Sequence, residues 1–419
     1  MPNGTTKTIT AVSDNTNITS SSNYATYTVT QNGTYTFSVT DGSKTTQTQI
    51  RVKNIETFTK VDDLGLNYIN SENKAYNYKG AAVPVGYYVD TKSNVDTGLV
   101  ITDSIDSEGY STGNEWVWVP VNSTVGNNDY YIEASGSLAG ATSVTYSKYS
   151  KLYSFVDKTR EAYGTFHPCG TTTRALGLPS ATIGYREPSL LTDSSNGVES
   201  DYYSSINKRG TTEKCQNVTE VATQYIKDYD NMIDSINKYG GFYIGRYEVT
   251  ANGEKSGNSL IGVNWYSLYN ICMTFDKNNV TSGMIYGTLW DATMQWLSKY
   301  DYFVGYTGNT TSGYGNYNTE AVTVGDGNTT IIVKPSGTSK QLQTGQTSYT
   351  RSNNIYDLSG NFLECTQEAY QTDQRITRGG GYDDTNSNRT YSACRSSIYA
   401  YYRYSDTSSN SSRPHFYIK

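Results

Sequence analysis

Polar and apolar residues alternate through much of the first fifty positions. β-forming residues alternate with small polar ones over residues 25–39, on both sides of Asn32-Gly33. Alternation around an Asn-Gly pair is the strongest short-range signal for a β-hairpin. A second turn composition at residues 41–43 leads into another alternating run at residues 45–52. The pattern predicts about four to six short strands without helices, and therefore a small β-sandwich over residues 1–56.

Short apolar runs follow a polar linker or entry segment at residues 57–79. Residues 81–89, 98–101 and 114–121 are rich in Val, Ala, Tyr and Trp, which indicates strands. Ser, Thr, Gly and Tyr then dominate residues 122–216 without a clear period. We interpret this stretch as a loop-rich insertion.

Helical periodicity begins after the insertion. Asn217 followed by Glu220 fits a capping box, and Gly240-Gly241 is a typical helix end. Between them, apolar residues recur at spacings of three and four, which predicts an amphipathic helix of about 20 residues. Two shorter helices are predicted at residues 264–275 and 288–297. Their large apolar residues are assigned to core packing rather than to a cofactor site: Trp265, Met273, Trp290, Met294 and Trp296.

Composition narrows the class of protein. Only 17% of the residues are charged, whereas 41 of the 419 are Tyr. Such a polar, Tyr-rich balance suits β-rich extracellular or virion proteins, because Tyr offers a stiff amphipathic contact surface. A net charge of -6 gives no indication of binding to nucleic acid or to an anionic membrane.

The chain shows neither a signal peptide nor a membrane span. Residues 1–4 lack a basic or apolar segment, and no apolar run approaches the length that crosses a bilayer. We therefore expect no membrane insertion. The protein should leave the cell inside a larger assembly, or the chain is part of a longer one.

The five cysteines are odd in number and widely separated, and none forms a C-x-x-C pair. Neither a zinc site nor a dense disulfide framework is indicated. We interpret the cysteines as buried small apolar residues, with Cys365–Cys394 as the one pairing to check.

Six short segments occur in an order that resembles a known family. They are residues 116–120, 241–250, 262–270, 286–292, 355–364 and 378–381, with Arg395 and Arg413 further on. Together they resemble the formylglycine-generating-enzyme-like (sulfatase-modifying factor) family, which has a decorated C-type lectin fold. The first 56 residues resemble bacterial Ig-like modules, whose usual role is that of a spacer.

The resemblance implies an α+β protein. A C-type-lectin-like domain would cover residues 80–419, preceded by a small all-β Ig-like sandwich. The family's arginines at this end of the chain pin loops to the core, so structural roles are expected for Arg395 and Arg413. Arg378, Gly379 and Gly380 belong to the family's structural motif, and three consecutive glycines imply backbone with positive φ or close approach.

The family's enzymes would need residues that this chain lacks. Its oxidases hold copper with two cysteines shortly after the Gly-Gly motif, but residues 382–389 contain none. Cys365 stands where the family commonly carries Trp, and Cys394 looks packed. The two histidines, His167 and His415, cannot supply an iron site, and neither lies in a nucleophile motif such as G-x-S-x-G. The sequence therefore predicts no enzymatic activity and no cofactor.

Calcium stays open, because C-type-lectin-like folds often bind it through Asp, Asn and backbone oxygens. No EF-hand spacing is present, and no residues are assigned to calcium.

A branch of the same fold serves as the variable protein of diversity-generating retroelements. There, template Asn codons are copied with errors into codons that cannot encode Lys, Glu, Gln, Met or Trp. All five residue types are absent from residues 379–418, although they make up about one residue in seven elsewhere. The residue types found in this stretch are therefore those that such diversification allows.

These observations predict that a displayed, diversified surface at residues 378–419 binds a host-surface protein or glycan. Tyr supplies rigid contact area, and Ser, Asn and Asp supply adaptable hydrogen bonds. The expected binding residues are Tyr382, Asp383, Asp384, Asn388, Tyr391, Ser397, Tyr399, Tyr401, Tyr402, Tyr404, Ser405 and Asp406.

A phage tail tip or a bacterial cell surface is the expected location. Other virion or surface subunits would contact the N-terminal module. Two alternatives stay open, a lectin-like protein of fixed specificity and a structural tail protein. A formylglycine-generating-type oxidase is the least favoured reading.

Overall fold

The computed structural model of the protein describes residues 7–11, 16–20, 33–41, 44–52, 57–121, 202–277, 279–297, 315–325, 330–369, 374–385, 395–399 and 410–419. Both helices and sheets occur in this part of the chain, and all but one of the strand pairings are antiparallel. The architecture is therefore α+β, with few helices. No helix within these ranges is long and apolar enough to cross a membrane.

Four strands near the start of the chain form one sheet. They are β1 (Lys7–Ala11), β2 (Thr16–Ser20), β3 (Gly33–Asp41) and β4 (Lys44–Val52), in the order β2-β1-β3-β4. The predicted turn near residue 42 is confirmed, because Asp41 pairs with Lys44 across a two-residue connection. Residues 25–30, predicted as the first arm of another hairpin, lie outside the described residues.

The remaining strands form one large sheet and several small ones. They are β5 (Phe58–Lys60), β6 (Ala75–Tyr78), β7 (Ala81–Pro84), β8 (Tyr88–Asp90), β9 (Val100–Thr102), β10 (Glu115–Pro120), β11 (Gly241–Gly245), β12 (Val280–Met284), β13 (Val322–Gly325), β14 (Thr330–Lys334), β15 (Arg351–Ser352), β16 (Ile355–Tyr356), β17 (Leu363–Ala369), β18 (Gln374–Arg378), β19 (Arg395–Tyr399), β20 (Asn410–Ser412) and β21 (Pro414–Ile418). The large sheet has the order β12-β21-β11-β10-β9-β8-β5.

Both faces of the seven-stranded sheet are covered. In β10, Trp116 and Trp118 enter one hydrophobic cluster, whereas Val117 and Val119 enter a second. This division follows from the two-residue period of a strand, because successive side chains point to opposite faces. The strand that is apolar from Trp116 to Pro120 is thus the central strand of a sheet buried on both sides.

The described part of the chain contains three α-helices, and each was predicted from the sequence. They are α1 (Val218–Tyr239), α2 (Trp265–Cys272) and α3 (Gly287–Leu297). The start of α1 is confirmed, since Asn217 Oδ1 accepts a hydrogen bond from the Glu220 backbone N at 3.0 Å. Of the five core residues named above, Trp265, Met273, Trp290 and Trp296 are buried. The side chain of the fifth, Met294, lies outside the description.

A smaller four-stranded sheet is connected directly to the large sheet along the chain. Its order is β19-β18-β17-β20, and β17 and β20 run parallel. Only Arg413 separates β20 of this sheet from β21 of the large sheet. The chain thus passes from one sheet to the other within a single residue, and that residue is an arginine.

Candidate functional site

The candidate binding segment is the predicted surface at residues 378–419. Arg413 anchors this segment near its C-terminal end. Its side chain is fully buried, and its Nε donates to Glu364 Oε2 at 2.9 Å. Nη1 donates to the Gly245 carbonyl at 3.0 Å and Nη2 to the Tyr356 carbonyl at 2.7 Å. Burial would lower the pKa of Arg413, but the Glu364 carboxylate raises it. One guanidinium therefore joins β17, β11 and β16 at the point where β20 becomes β21.

Arg378 is the anchor at the near end. Its Nε donates to Glu368 Oε1 at 2.6 Å, and both side chains are buried. Gly287, at the start of α3, lies directly beneath this carboxylate, because a Cβ there would meet Glu368 Cγ at 2.3 Å. The absence of a side chain at Gly287 leaves the space in which the ion pair forms.

The glycines after Arg378 form a sharp turn. Gly379 and Gly380 have φ angles of 89° and 76°, a region that favours glycine. The Gly379 carbonyl accepts from the Gly360 backbone N at 2.9 Å and from the Tyr317 hydroxyl at 2.6 Å. The sequence-based expectation of positive φ is confirmed at two of the three glycines.

Tyr382, the first predicted binding residue, points into the protein. Its ring is only 9% exposed and packs edge-on against Phe362, with centroids 5.7 Å apart. Its hydroxyl accepts from Gln341 Nε2 at 3.0 Å, and its backbone N donates to the Asn361 carbonyl. The expectation that Tyr382 is solvent-exposed is therefore wrong, because the glycine turn directs it onto the core.

The next two residues turn outward. Asp383 is exposed and Asp384 is partly exposed. Asp384 Oδ2 accepts from the Gly381 backbone N at 2.7 Å, which closes a local turn. Asp383 is thus the first residue of the predicted surface that can meet a partner directly.

The other predicted residues are described in part or not at all. Arg395, Ser397 and Tyr399 lie in β19, which pairs with β18 from Arg395 opposite Arg378 to Tyr399 opposite Gln374. Seven predicted binding residues lie outside the described residues: Asn388, Tyr391, Tyr401, Tyr402, Tyr404, Ser405 and Asp406.

A buried carboxylate that the sequence did not reveal organises the turn before β17. Glu248 Oε2 accepts from Asn361 Nδ2 at 2.8 Å and from Ser259 Oγ at 2.5 Å. Glu248 Oε1 accepts from the Phe362 backbone N at 3.1 Å. Burial raises the pKa of Glu248 well above its ordinary value, and the nearby Asp357 adds to this shift.

This turn contacts the glycine turn directly. Asp357 and Asn361 have φ angles of 60° and 62°, which Asp and Asn tolerate better than most residues. Asp357 Oδ2 accepts from Thr344 Oγ1 and the Gly345 backbone N. Residues 357–361 therefore form a turn whose polar partners come from distant parts of the chain.

The described cysteines are buried free thiols: Cys215, Cys272 and Cys365. Burial raises the pKa of each one, so thiolate formation is disfavoured there. Cys394, the suggested partner of Cys365, lies outside the described residues. No cluster of three or more His, Cys, Asp or Glu side chains with metal-binding geometry occurs within the described ranges.

A cavity of about 670 Å³ lies along α1. Arg209 and Asp228 line it and form a bidentate ion pair, with distances of 2.7 to 2.9 Å. Lys227, Tyr417 and Lys419 also line it, whereas Tyr382, Asp383 and Asp384 do not.

No family model matches the chain, and neither curated proteins nor solved structures give a significant match.

Proposed function

We propose that the protein binds a macromolecular ligand through a diversified C-terminal surface. In this proposal the surface belongs to a C-type-lectin-like domain of the formylglycine-generating-enzyme type, and an Ig-like module joins it to a phage tail or bacterial surface. The observation that carries the proposal is the position of the two buried ion pairs. Arg378–Glu368 and Arg413–Glu364 enclose residues 379–412, which make up most of the stretch that lacks five residue types.

The bracketing has a physical consequence. A segment can vary in sequence only if the core does not depend on its side chains. Here the partners of both anchors lie outside the segment, in β17, and Arg378 precedes its first residue. We use the word frame for the two ion pairs and the strands that they join. Most residues between the anchors could then change while this frame keeps its geometry, as in other binding loops on rigid scaffolds.

Tyr382 and residues 410–418 are the informative exceptions. They lie in the restricted stretch, yet they are buried, and Tyr382 and Arg413 also form hydrogen bonds to the frame. If the stretch is diversified, these positions should stay constant while Asp383 changes. The boundary between constant and variable codons is thus a prediction that follows from burial alone.

The genome offers the most direct test. A diversified surface requires a near-copy of the coding stretch for residues 379–418, with adenines at the variable positions, beside a reverse transcriptase gene. Sequencing related strains should show changes at Asp383 but not at Tyr382 or Arg413. Absence of the near-copy would favour a lectin-like protein of fixed specificity instead.

Binding can be tested on the protein itself. Replacing Tyr399, Tyr401, Tyr402 and Tyr404 together by Ser should abolish retention of the labelled full chain on intact bacterial cells and on a glycan array. The melting temperature should change by less than about 3 °C, because the frame is untouched. Replacing the buried core residue Tyr243 by Ser is the matched control and should lower the melting temperature strongly. Unchanged retention by the four-fold variant would contradict the proposal and favour a structural tail protein.

A further inference from the structure

Lys334, at the end of β14, has an unusual environment. Its side chain is fully buried, and its Nζ lies 2.5 Å from the carbonyl oxygens of Tyr317 and Glu320. The carbonyl oxygen of Thr338 is 3.1 Å away and that of Pro335 is 3.5 Å away. Within the described residues, the ammonium group thus has only main-chain carbonyls as hydrogen-bond partners.

The positive charge of Lys334 is buried without a carboxylate partner among the residues that the structure describes. A buried ammonium normally pairs with a carboxylate, since an unpaired charge is costly to desolvate. No carboxylate contacts Nζ in the described part of the chain, and Glu320 contributes its backbone oxygen. Burial lowers the pKa of Lys334 to about 8, and the Glu320 charge opposes this shift. The carbonyl dipoles are what compensate the positive charge.

Rings of main-chain carbonyls are the ligands with which proteins replace the hydration shell of potassium. An ammonium group is close to a potassium ion in size and charge. Its three N–H donors satisfy three oxygens, and the fourth oxygen at 3.5 Å completes a one-sided shell. The shell therefore has the chemistry of a monovalent cation site whose occupant is covalently attached.

We propose that the Lys334 ammonium is a built-in cation, which fills a carbonyl cage suited to a potassium-sized monovalent ion and thereby holds together the two chain segments that form the cage. Those segments are residues 316–320 and 334–340. They are also joined by Gly337 N donating to the Asn318 carbonyl and by Ser336 Oγ donating to the Thr319 carbonyl.

The cage supports the near end of the candidate binding segment. Tyr317, whose carbonyl contacts Lys334, donates its hydroxyl to the Gly379 carbonyl. Gln341, just beyond the other cage segment, donates to the Tyr382 hydroxyl. The charge at Lys334 therefore helps to position the glycine turn, and an effect on ligand binding rests on the proposed function.

Two substitutions separate the cation from the side chain that carries it. Lys334→Ala empties the cage, so an outside ion can enter. Lys334→Met fills the space of the lysine stem without a charge, so an outside ion cannot. Melting temperatures of the full chain should be measured in potassium chloride and in choline chloride at equal ionic strength.

We expect the Lys334→Ala variant to melt about 2–4 °C higher in potassium chloride, with a saturable dependence on concentration. Wild type and Lys334→Met should show no such difference, and Lys334→Met should melt below wild type in both salts. A Lys334→Ala variant without potassium dependence, or one that folds in neither salt, would overturn the cage. A Lys334→Met variant as stable as wild type would overturn the need for a charge.

Retention on bacterial cells tests the link to binding separately. Lys334→Met should weaken retention below its melting temperature, since the turn that carries Tyr382 loses support. Retention equal to that of wild type would overturn this link. If wild type itself is not retained, the proposed function fails, whereas the potassium dependence still decides whether the cage exists.

Discussion

His415 is a buried ring near the partly exposed cation Arg209. It is 1% exposed, and it packs against Tyr286 with centroids 5.0 Å apart. Burial lowers the pKa of His415 to about 3, and the charge of Arg209 adds to this shift, whereas the backbones of Met284 and Gly283 oppose it. The ring is therefore neutral at pH 7, although an exposed histidine would titrate near pH 6.5.

The lowered pKa predicts acid sensitivity. Because the folded pKa lies below the unfolded one, the unfolded chain binds the extra proton between pH 6.5 and pH 3. The stabilising contribution is complete above pH 6.5 and falls as the pH falls, by about 2 kcal/mol between pH 7 and pH 5. In urea denaturation, the stability of wild type relative to His415→Phe should fall by about 2 kcal/mol between pH 7 and pH 5. The raised pKa of Glu364, about 7, acts in the opposite direction in both proteins and cancels in this difference.

His167→Gln is the control, since His167 is the other of the two histidines. It should keep the pH dependence of wild type. The assignment to His415 would be wrong if His415→Phe lost as much stability between pH 7 and pH 5 as wild type does.

At the scale of elements, the junction between β20 and β21 decides how the two sheets meet. Glu364 pairs in register with Arg378 of β18 and with Ser411 of β20, while its carboxylate holds Arg413. One buried carboxylate thus lies among three strands. Removing one partner of such a pair leaves an uncompensated charge, whereas removing both leaves only lost bonds.

We therefore expect Arg413→Met to lower the free energy of unfolding by about 3–5 kcal/mol. The double variant Arg413→Met/Glu364→Gln should lose less than the sum of its single variants, because it removes the orphaned charge. Lys208→Ala breaks the exposed Lys208–Glu220 pair and should cost about 1 kcal/mol or less. Urea denaturation measures the free energy of unfolding of the two single variants, the double variant and Lys208→Ala. If the loss in the double variant equals the sum of the losses in its single variants, Arg413 and Glu364 are not energetically coupled.

Local sequence signals predicted the helices well. Asn217, Glu220 and Gly240 give α1 its boundaries through contacts within a few residues, and such contacts can be read from the sequence. Strand β10 was equally clear because all of its apolar residues are buried. Glu248 was not predicted, because the residues that make it a turn-organising group lie far away in the chain.

At the scale of the whole molecule, the large sheet closes late in the chain. β21 lies between β11 and β12, so residues 414–418 complete a sheet that begins at Phe58. Within the described residues, the first four strands pair only with one another. The seven-stranded sheet therefore needs the C-terminal residues 414–418, whereas the sheet of the first four strands does not.

Deletions should expose this difference. Removing residues 1–56 should leave the unfolding of the remainder cooperative, with a melting temperature within about 3 °C of the full chain. Removing residues 410–419 should abolish cooperative unfolding, because β11 and β12 lose their shared neighbour and Glu364 loses Arg413. Differential scanning calorimetry of both truncations tests this, and a cooperative transition in the second would contradict the central role of β21.

The sequence by itself determined the helices, the apolar central strand, the turn residues and the restricted alphabet of residues 379–418. Each of these depends on residue type at short spacing, through caps, periodicity or codon choice. Only the tertiary structure decided that Tyr382 faces inward, that Arg413 joins two sheets and that Lys334 lies among carbonyls. Those outcomes depend on which distant segments meet, and local hydrogen bonding and periodicity carry no information about such encounters.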